Sequence, residues 1–136
     1  MSSASWALQT AIFAALSANT GLKTLLGNPP RIYDEVPRSA AMPYLVIGED
    51  KQADWSTATD TGTEHALTLN VWSRARGRKE CKSITDTIIA ALDNAALSLP
   101  AHVLISLNFR NADFQRLSDG QTTRATLRFR AITEPQ

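Results

Sequence analysis

The amino-acid sequence predicts an α+β fold, a mostly antiparallel sheet of four or five strands with two main helices packed on one of its faces. Three observations predict it. In residues 64–72, His65, Leu67, Leu69 and Val71 alternate with Glu64, Thr68 and Asn70, a period of two that fits a strand with one buried face. Residues 73–94 then change period: Cys81, Ile84, Ile88, Ala91 and Leu92 recur at steps of three and four, while Lys82, Asp86 and Asp93 fall off that stripe. Near the C-terminus Thr123, Ala125, Leu127, Phe129 and Ala131 alternate with Arg124, Thr126, Arg128 and Arg130. Strands that alternate in this way are covered on one side only, which favours antiparallel pairing. The apolar stripe of the helix supplies the cover.

The elements follow in order. Ser5 caps a first helix in which Leu8, Ile12, Ala15 and Leu16 form the apolar stripe, and the helix ends near residues 19–21. Leu22, Leu25 and Leu26 make a short helical turn, closed by Gly27 and barred from continuing by Pro29 and Pro30. Arg31-Ile32-Tyr33 is a short extended segment, and Pro37 and Pro43 bracket a small-residue loop. Tyr44-Leu45-Val46-Ile47-Gly48 reads as a strand with proline at its entry, a position that tolerates the missing donor. A polar run over residues 50–62 then joins two sheet neighbours. It is long for a hairpin connection, so it is functional or mobile, and Trp55 in its middle either folds back onto the core or waits for a partner. After the helix of residues 73–94 the chain turns at Pro100. Val103, Ile105, Leu107 and Phe109 then alternate with His102, Ser106, Asn108 and Arg110 as a half-buried strand, and Asp119-Gly120 marks the last hairpin.

With 136 residues the chain forms one domain, residues 1–136, large enough for a single core. A start without a basic region or a long apolar run predicts neither a signal peptide nor a membrane span. The formal net charge is only +1, but it is unevenly spread. Asp34, Glu35, Glu49, Asp50, Asp54, Asp60 and Glu64 make the first half acidic; residues 74–82 and the tail are basic. Opposite patches on one small molecule suit head-to-tail self-association as readily as a foreign ligand. Most telling is the junction before the second helix, where Arg74, Arg76, Arg78 and Lys79 crowd a helix start whose dipole is already positive. Such a cluster costs stability, so it faces an anion or an acidic partner.

Catalytic and metal chemistry find little to work with. The only cysteine, Cys81, lies on the apolar stripe and reads as a small core residue, so no disulfide within the chain is expected. Two histidines, His65 and His102, belong to no spaced ligand group, and zinc is not expected. His65 points inward as a core histidine; His102 is expected at the surface. There is no Gly-x-Ser-x-Gly elbow and no Gly-rich phosphate loop, so neither catalysis nor a cofactor is expected. The row Arg124, Arg128 and Arg130, with Arg110 beside it, has two readings. It is a solvated face paired with acids such as Glu64, or a basic surface for an acidic neighbouring subunit or nucleic acid. Phe109 and Phe129 fall on the inward set, which counts against stacking of single-stranded bases on the sheet.

The order of short motifs resembles a known family. A helix precedes Ile32-Tyr33-Asp34-Glu35-Val36-Pro37 and Met42-Pro43-Tyr44-Leu45-Val46-Ile47-Gly48; then come Asp54-Trp55-Ser56, Leu69-Asn70-Val71-Trp72-Ser73-Arg74, a basic helix start and an Asp119-Gly120 hairpin ending in a strand with Arg128-Phe129-Arg130. From about Leu8 to Ile132 this resembles the small tail-completion proteins, or tail terminators, of long-tailed bacteriophages, prophages and gene transfer agents. The resemblance implies a non-enzymatic ring subunit, six to a ring, that caps the head-proximal end of the tail tube. Its implied partners are itself, the tail tube protein and the head connector or stopper, with DNA passing through the lumen. It also implies assembly in the bacterial cytoplasm and residence in the virion at the head–tail junction. The candidate interface residues are Trp55, Asp50, Asp54, Arg74, Arg76, Arg78, Arg124, Arg128 and Arg130. A nucleic-acid-binding module using residues 74–82 and the arginine row is the alternative.

Overall fold

A computed structural model describes residues 3–136. Two helices open it, α1 (Ala4–Ser17) and α2 (Thr20–Leu26), followed by strands β1 (Ile32–Tyr33), β2 (Tyr44–Asp54) and β3 (Thr63–Ser73). Helix α3 (Lys79–Leu92) and strands β4 (Ser98–Leu99), β5 (His102–Arg116) and β6 (Thr123–Pro135) complete it. The α+β class stands, but among the described residues the sheet has six strands in the order β1-β2-β3-β6-β5-β4, and the short helical turn expected at residues 22–26 is a third helix, α2. It is also mixed, because β1 runs parallel to β2. Both added strands are two residues long, too short for any periodicity to show in the sequence.

Helices α1 and α3 and the sheet close around one core. Leu8, Ile12 and Leu16 of α1 and Ile84, Ile88 and Leu92 of α3 meet Leu45, Leu69, Val71, Leu107, Leu127 and Phe129, all essentially buried. Each such side chain contributes about 1.5–3 kcal/mol by leaving water. The α3 stripe reads as expected, with Cys81, Ile84, Ile88 and Leu92 buried, though the helix itself begins only at Lys79. At α1 the cap is Ser3, whose Oγ accepts from the Trp6 amide at 3.0 Å. The expected cap, Ser5, stands inside the first turn and donates to Asp50 Oδ2 at 2.6 Å, pinning the helix to β2.

The first part of the polar run of residues 50–62 is strand. Residues 50–54 pair with residues 63–67 of β3, so the connecting loop shrinks to residues 55–62. A bulge between Ile47 and Asp50 puts Gly48 and Glu49 opposite one residue of β3, and a Cβ on Gly48 would lie 2.8 Å from Asn70 Nδ2 and 3.2 Å from the Thr68 carbonyl oxygen. Two more bulges bend β5, between Leu104 and Ser106 and between Phe109 and Asn111. The first overturns the simple alternation expected there: Leu104 packs on the core, while Val103 and Ile105 are exposed. Phe109 stays inward, edge-on to Phe129 with ring centres 5.5 Å apart. Among the described residues no helix is long and apolar enough to cross a membrane.

Candidate functional site

The face of the sheet that the helices leave open carries Arg124, Arg128 and Arg130 in rows set by the register. In one row Tyr44 stands opposite Trp72 and Trp72 opposite Arg124. Tyr33 meets Tyr44 edge-on at 5.8 Å, Tyr44 lies 6.3 Å from Trp72, and the Arg124 guanidinium sits 5.6 Å over the Trp72 ring. Arg124 also donates from Nη2 to Gln115 Oε1 at 2.9 Å. In the next rows Arg128 Nη1 donates to Asn111 Oδ1 and to Asp113 Oδ2, and Arg130 Nε donates to Glu64 Oε2. The three arginines therefore have partners within their own sheet. Side chains of the Arg128–Asp113 pair are 45% and 69% exposed, so water screens it and its contribution is at most about 1 kcal/mol.

Trp55 settles between its two expected fates. Its ring lies under the Arg130 guanidinium at 4.7 Å and half of the residue stays exposed. The loop that holds it is built by local hydrogen bonds: the Trp55 amide to the Gly62 carbonyl at 2.9 Å, the Thr57 amide to the Asp60 carbonyl at 2.7 Å, and the Ser56 hydroxyl to Asp54 Oδ1. Ser56 holds the Asp54 carboxyl below the usual carboxylate range, first through its hydroxyl and then through its amide. Asp54 thus shapes the loop, and Asp50 anchors Ser5.

The basic turn occupies the opposite end of the strands. Arg74 donates from Nε to Thr122 Oγ1 at 3.3 Å, tying the turn to the last hairpin. In that hairpin Asp119 accepts from the Thr122 hydroxyl and from the Thr122 and Gln121 amides, and these bonds, with Arg74 nearby, lower its pKa to about 2. Arg78 occupies the start of α3 without a side-chain cap, and Gly77 has φ +69°, the left-handed region that favours glycine. Among the described residues nothing pairs with Arg76 or Arg78, which stand exposed beside Lys79.

Among the described residues two titratable side chains, His65 and Cys81, are buried. His65 is buried, its Nε2 2.9 Å from Thr133 Oγ1, and burial pushes its pKa down. Burial likewise raises Cys81 to about 11, a thiol held protonated. No group of three or more His, Cys, Asp or Glu side chains that could hold a metal occurs among the described residues.

The structure brings Trp55 to Arg130 and Arg124 to Trp72, keeps Arg74 with the hairpin, and leaves Arg76 and Arg78 alone. Sequence reading missed two features. The Tyr33–Tyr44–Trp72 row was legible only in part, since Trp72 follows Asn70 on the outward set of its strand. More prominent is α1, where Trp6 (57% exposed) and Phe13 (45% exposed) lie seven residues apart and off the buried stripe. That spacing was the available signal.

Comparison with known proteins places this geometry. The family model for tail completion protein gp17 matches residues 10–134. Among solved structures, a chain in the virion of a native gene transfer agent particle is similar, with 31% sequence identity and a TM-score of 0.90 over 98% of this chain and 99% of that one. No curated protein matches in sequence. Matched over nearly its whole length, the chain belongs to the family of tail completion protein gp17.

Proposed function

We propose that this chain is a non-enzymatic structural subunit of a phage-like particle. It forms a ring of six copies that caps the head-proximal end of the tail tube and joins it to the head connector, leaving a lumen for DNA. Residues 1–136 act as one domain, assembled in the bacterial cytoplasm and retained at the head–tail junction. The observation that carries this reading is the end-to-end likeness to a chain of a gene transfer agent virion, joined to the tail-completion family match. Physical features support it. A closed ring needs two different surfaces on each copy, and among the described residues the acids Asp34 and Glu35 and the bases Arg76 and Arg78 are exposed and without an ion pair. Trp55, Asp50, Asp54, Arg74, Arg76, Arg78, Arg124, Arg128 and Arg130 remain the proposed contact residues; Trp55 is half exposed, and Arg76 and Arg78 are exposed and unpaired among the described residues. Nucleic-acid binding finds less support, because the arginine row is engaged by Gln115, Asn111, Asp113 and Glu64.

The test is deletion of the chain from a cell that produces the particles. Heads without tails, together with tubes of uncontrolled length, are expected. Normal tailed particles would overturn the proposal.

A further inference from the structure

Among the described residues cations stand over aromatic rings at Trp72 (Arg124), Trp55 (Arg130) and Phe114 (Lys82). Of the three tryptophans Trp6 is the most exposed, and among the described residues no cation covers it. It opens a groove of about 280 Å³ between α1 and the β1–β2 edge, lined by Trp6, Phe13, Ile47 and Asp34 among others. Asp34 in its lining and Glu35, the next residue in the chain, are exposed and make no ion pair among the described residues. The complement exists elsewhere on the same chain. Arg76 and Arg78 project from a turn at the start of α3 with nothing among the described residues to neutralise them, at the end of a helix whose dipole raises the cost of leaving them so.

We propose that the turn bearing Arg76 and Arg78 of one copy seats in the Trp6–Phe13–Asp34 groove of a second copy, with guanidinium over indole and against the Asp34–Glu35 acids. This rests on the self-association reading above and names its surfaces. Arginine suits the site better than lysine, because its planar, weakly hydrated head both stacks on an indole and pairs with a carboxylate. Arg38, four residues beyond Asp34, leaves the segment 34–38 with one net negative charge. Aromatic burial therefore supplies much of the affinity, and charge sets the choice of partner. Groove and turn are different surfaces, so one copy engages two neighbours and the contact propagates head to tail, as a ring or filament requires.

Three full-length variants test it: Asp34→Lys with Glu35→Lys, Arg76→Glu with Arg78→Glu, and Trp6→Ala. All positions are exposed, and Glu at the start of α3 favours the helix dipole, so the fold is retained, which circular dichroism checks. Self-association is read by sedimentation across concentration, and on tail tubes by pelleting. Each charge variant alone should associate at least about tenfold more weakly than the native chain, and Trp6→Ala likewise. Mixing the two charge variants should restore association as a one-to-one complex, since each then offers the surface the other needs. If the native chain associates and all variants match it, the inference is overturned while the ring reading stands on another interface. If the variants self-associate normally but no longer pellet with tubes, the groove binds the tube subunit and the inference is likewise overturned. A native chain that never associates, alone or on tubes, removes both.

Discussion

Replacing Trp55 by alanine separates what this residue does for the fold from what it does for a partner. An aromatic side chain buries on the order of 150–250 Å² when fully enclosed. Trp55 is 50% exposed, so roughly 100 Å² is already covered and about as much remains available. At about 25 cal/mol per Å² each half corresponds to about 2.5 kcal/mol. The covered half is an upper figure, because unfolded chains hide part of their surface and a loop relaxes around a deletion. The expected loss in folding stability is therefore about 1–2 kcal/mol, of which about 0.5–1 kcal/mol belongs to the Arg130 contact at 4.7 Å. Urea denaturation of the monomeric chain measures it, and a double-mutant cycle with Arg130→Ala isolates the stacking share. The free half sets the second expectation, a loss of about 2 kcal/mol in association, read by sedimentation. Assembly unchanged in Trp55→Ala would refute a partner-facing role. Stability unchanged would refute the claim that the arginine holds the ring in place.

If the arginine row serves the sheet and not a neighbouring subunit, replacing Arg124, Arg128 and Arg130 together by Gln should leave assembly intact and lower stability by about 1–2 kcal/mol, because their partners lie in the same sheet; loss of assembly with the fold retained would assign the row to the subunit contact instead. Gly48→Val should cost about 1–3 kcal/mol by urea denaturation, since the new Cβ meets the Thr68 carbonyl oxygen at 3.2 Å at a bulge that cannot widen freely. His65 is buried with its pKa lowered, chiefly by desolvation, so the unfolded chain binds more protons than the folded one just below the ordinary histidine range. Stability is then full above about pH 6.5 and falls as the pH drops toward the folded pKa. Substituting His65 by Gln should flatten that part of the pH–stability curve; an identical slope would assign the titration elsewhere.

Much of this molecule was legible in its sequence wherever a period ran long enough to be counted. The inward sets of β3 and β6, the buried stripe of α3 and the core positions of His65 and Cys81 follow from periods of two and 3.6. What escaped was decided by one or two residues or by pairing at a distance. Strands β1 and β4 exist only because a neighbour accepts two residues. Ile105 looks like a core position until the bulge beside it turns it outward. The polar residues 50–54 became strand because β3 extends far enough to pair with them, overriding weak local propensity. Candidate contact residues were readable as charges but not as partners. Nothing in the spacing of Arg130, Glu64 and Trp55 says that the three meet, whereas the isolation of Arg76 and Arg78 was signalled by their crowding at a helix start.

Electron microscopy of the purified chain mixed with growing tail tubes tests the central claim most directly. A closed ring of this chain seated on one end only, with growth stopped at that end, is the predicted image. Tubes that elongate at both ends with the chain left monomeric in solution would contradict it.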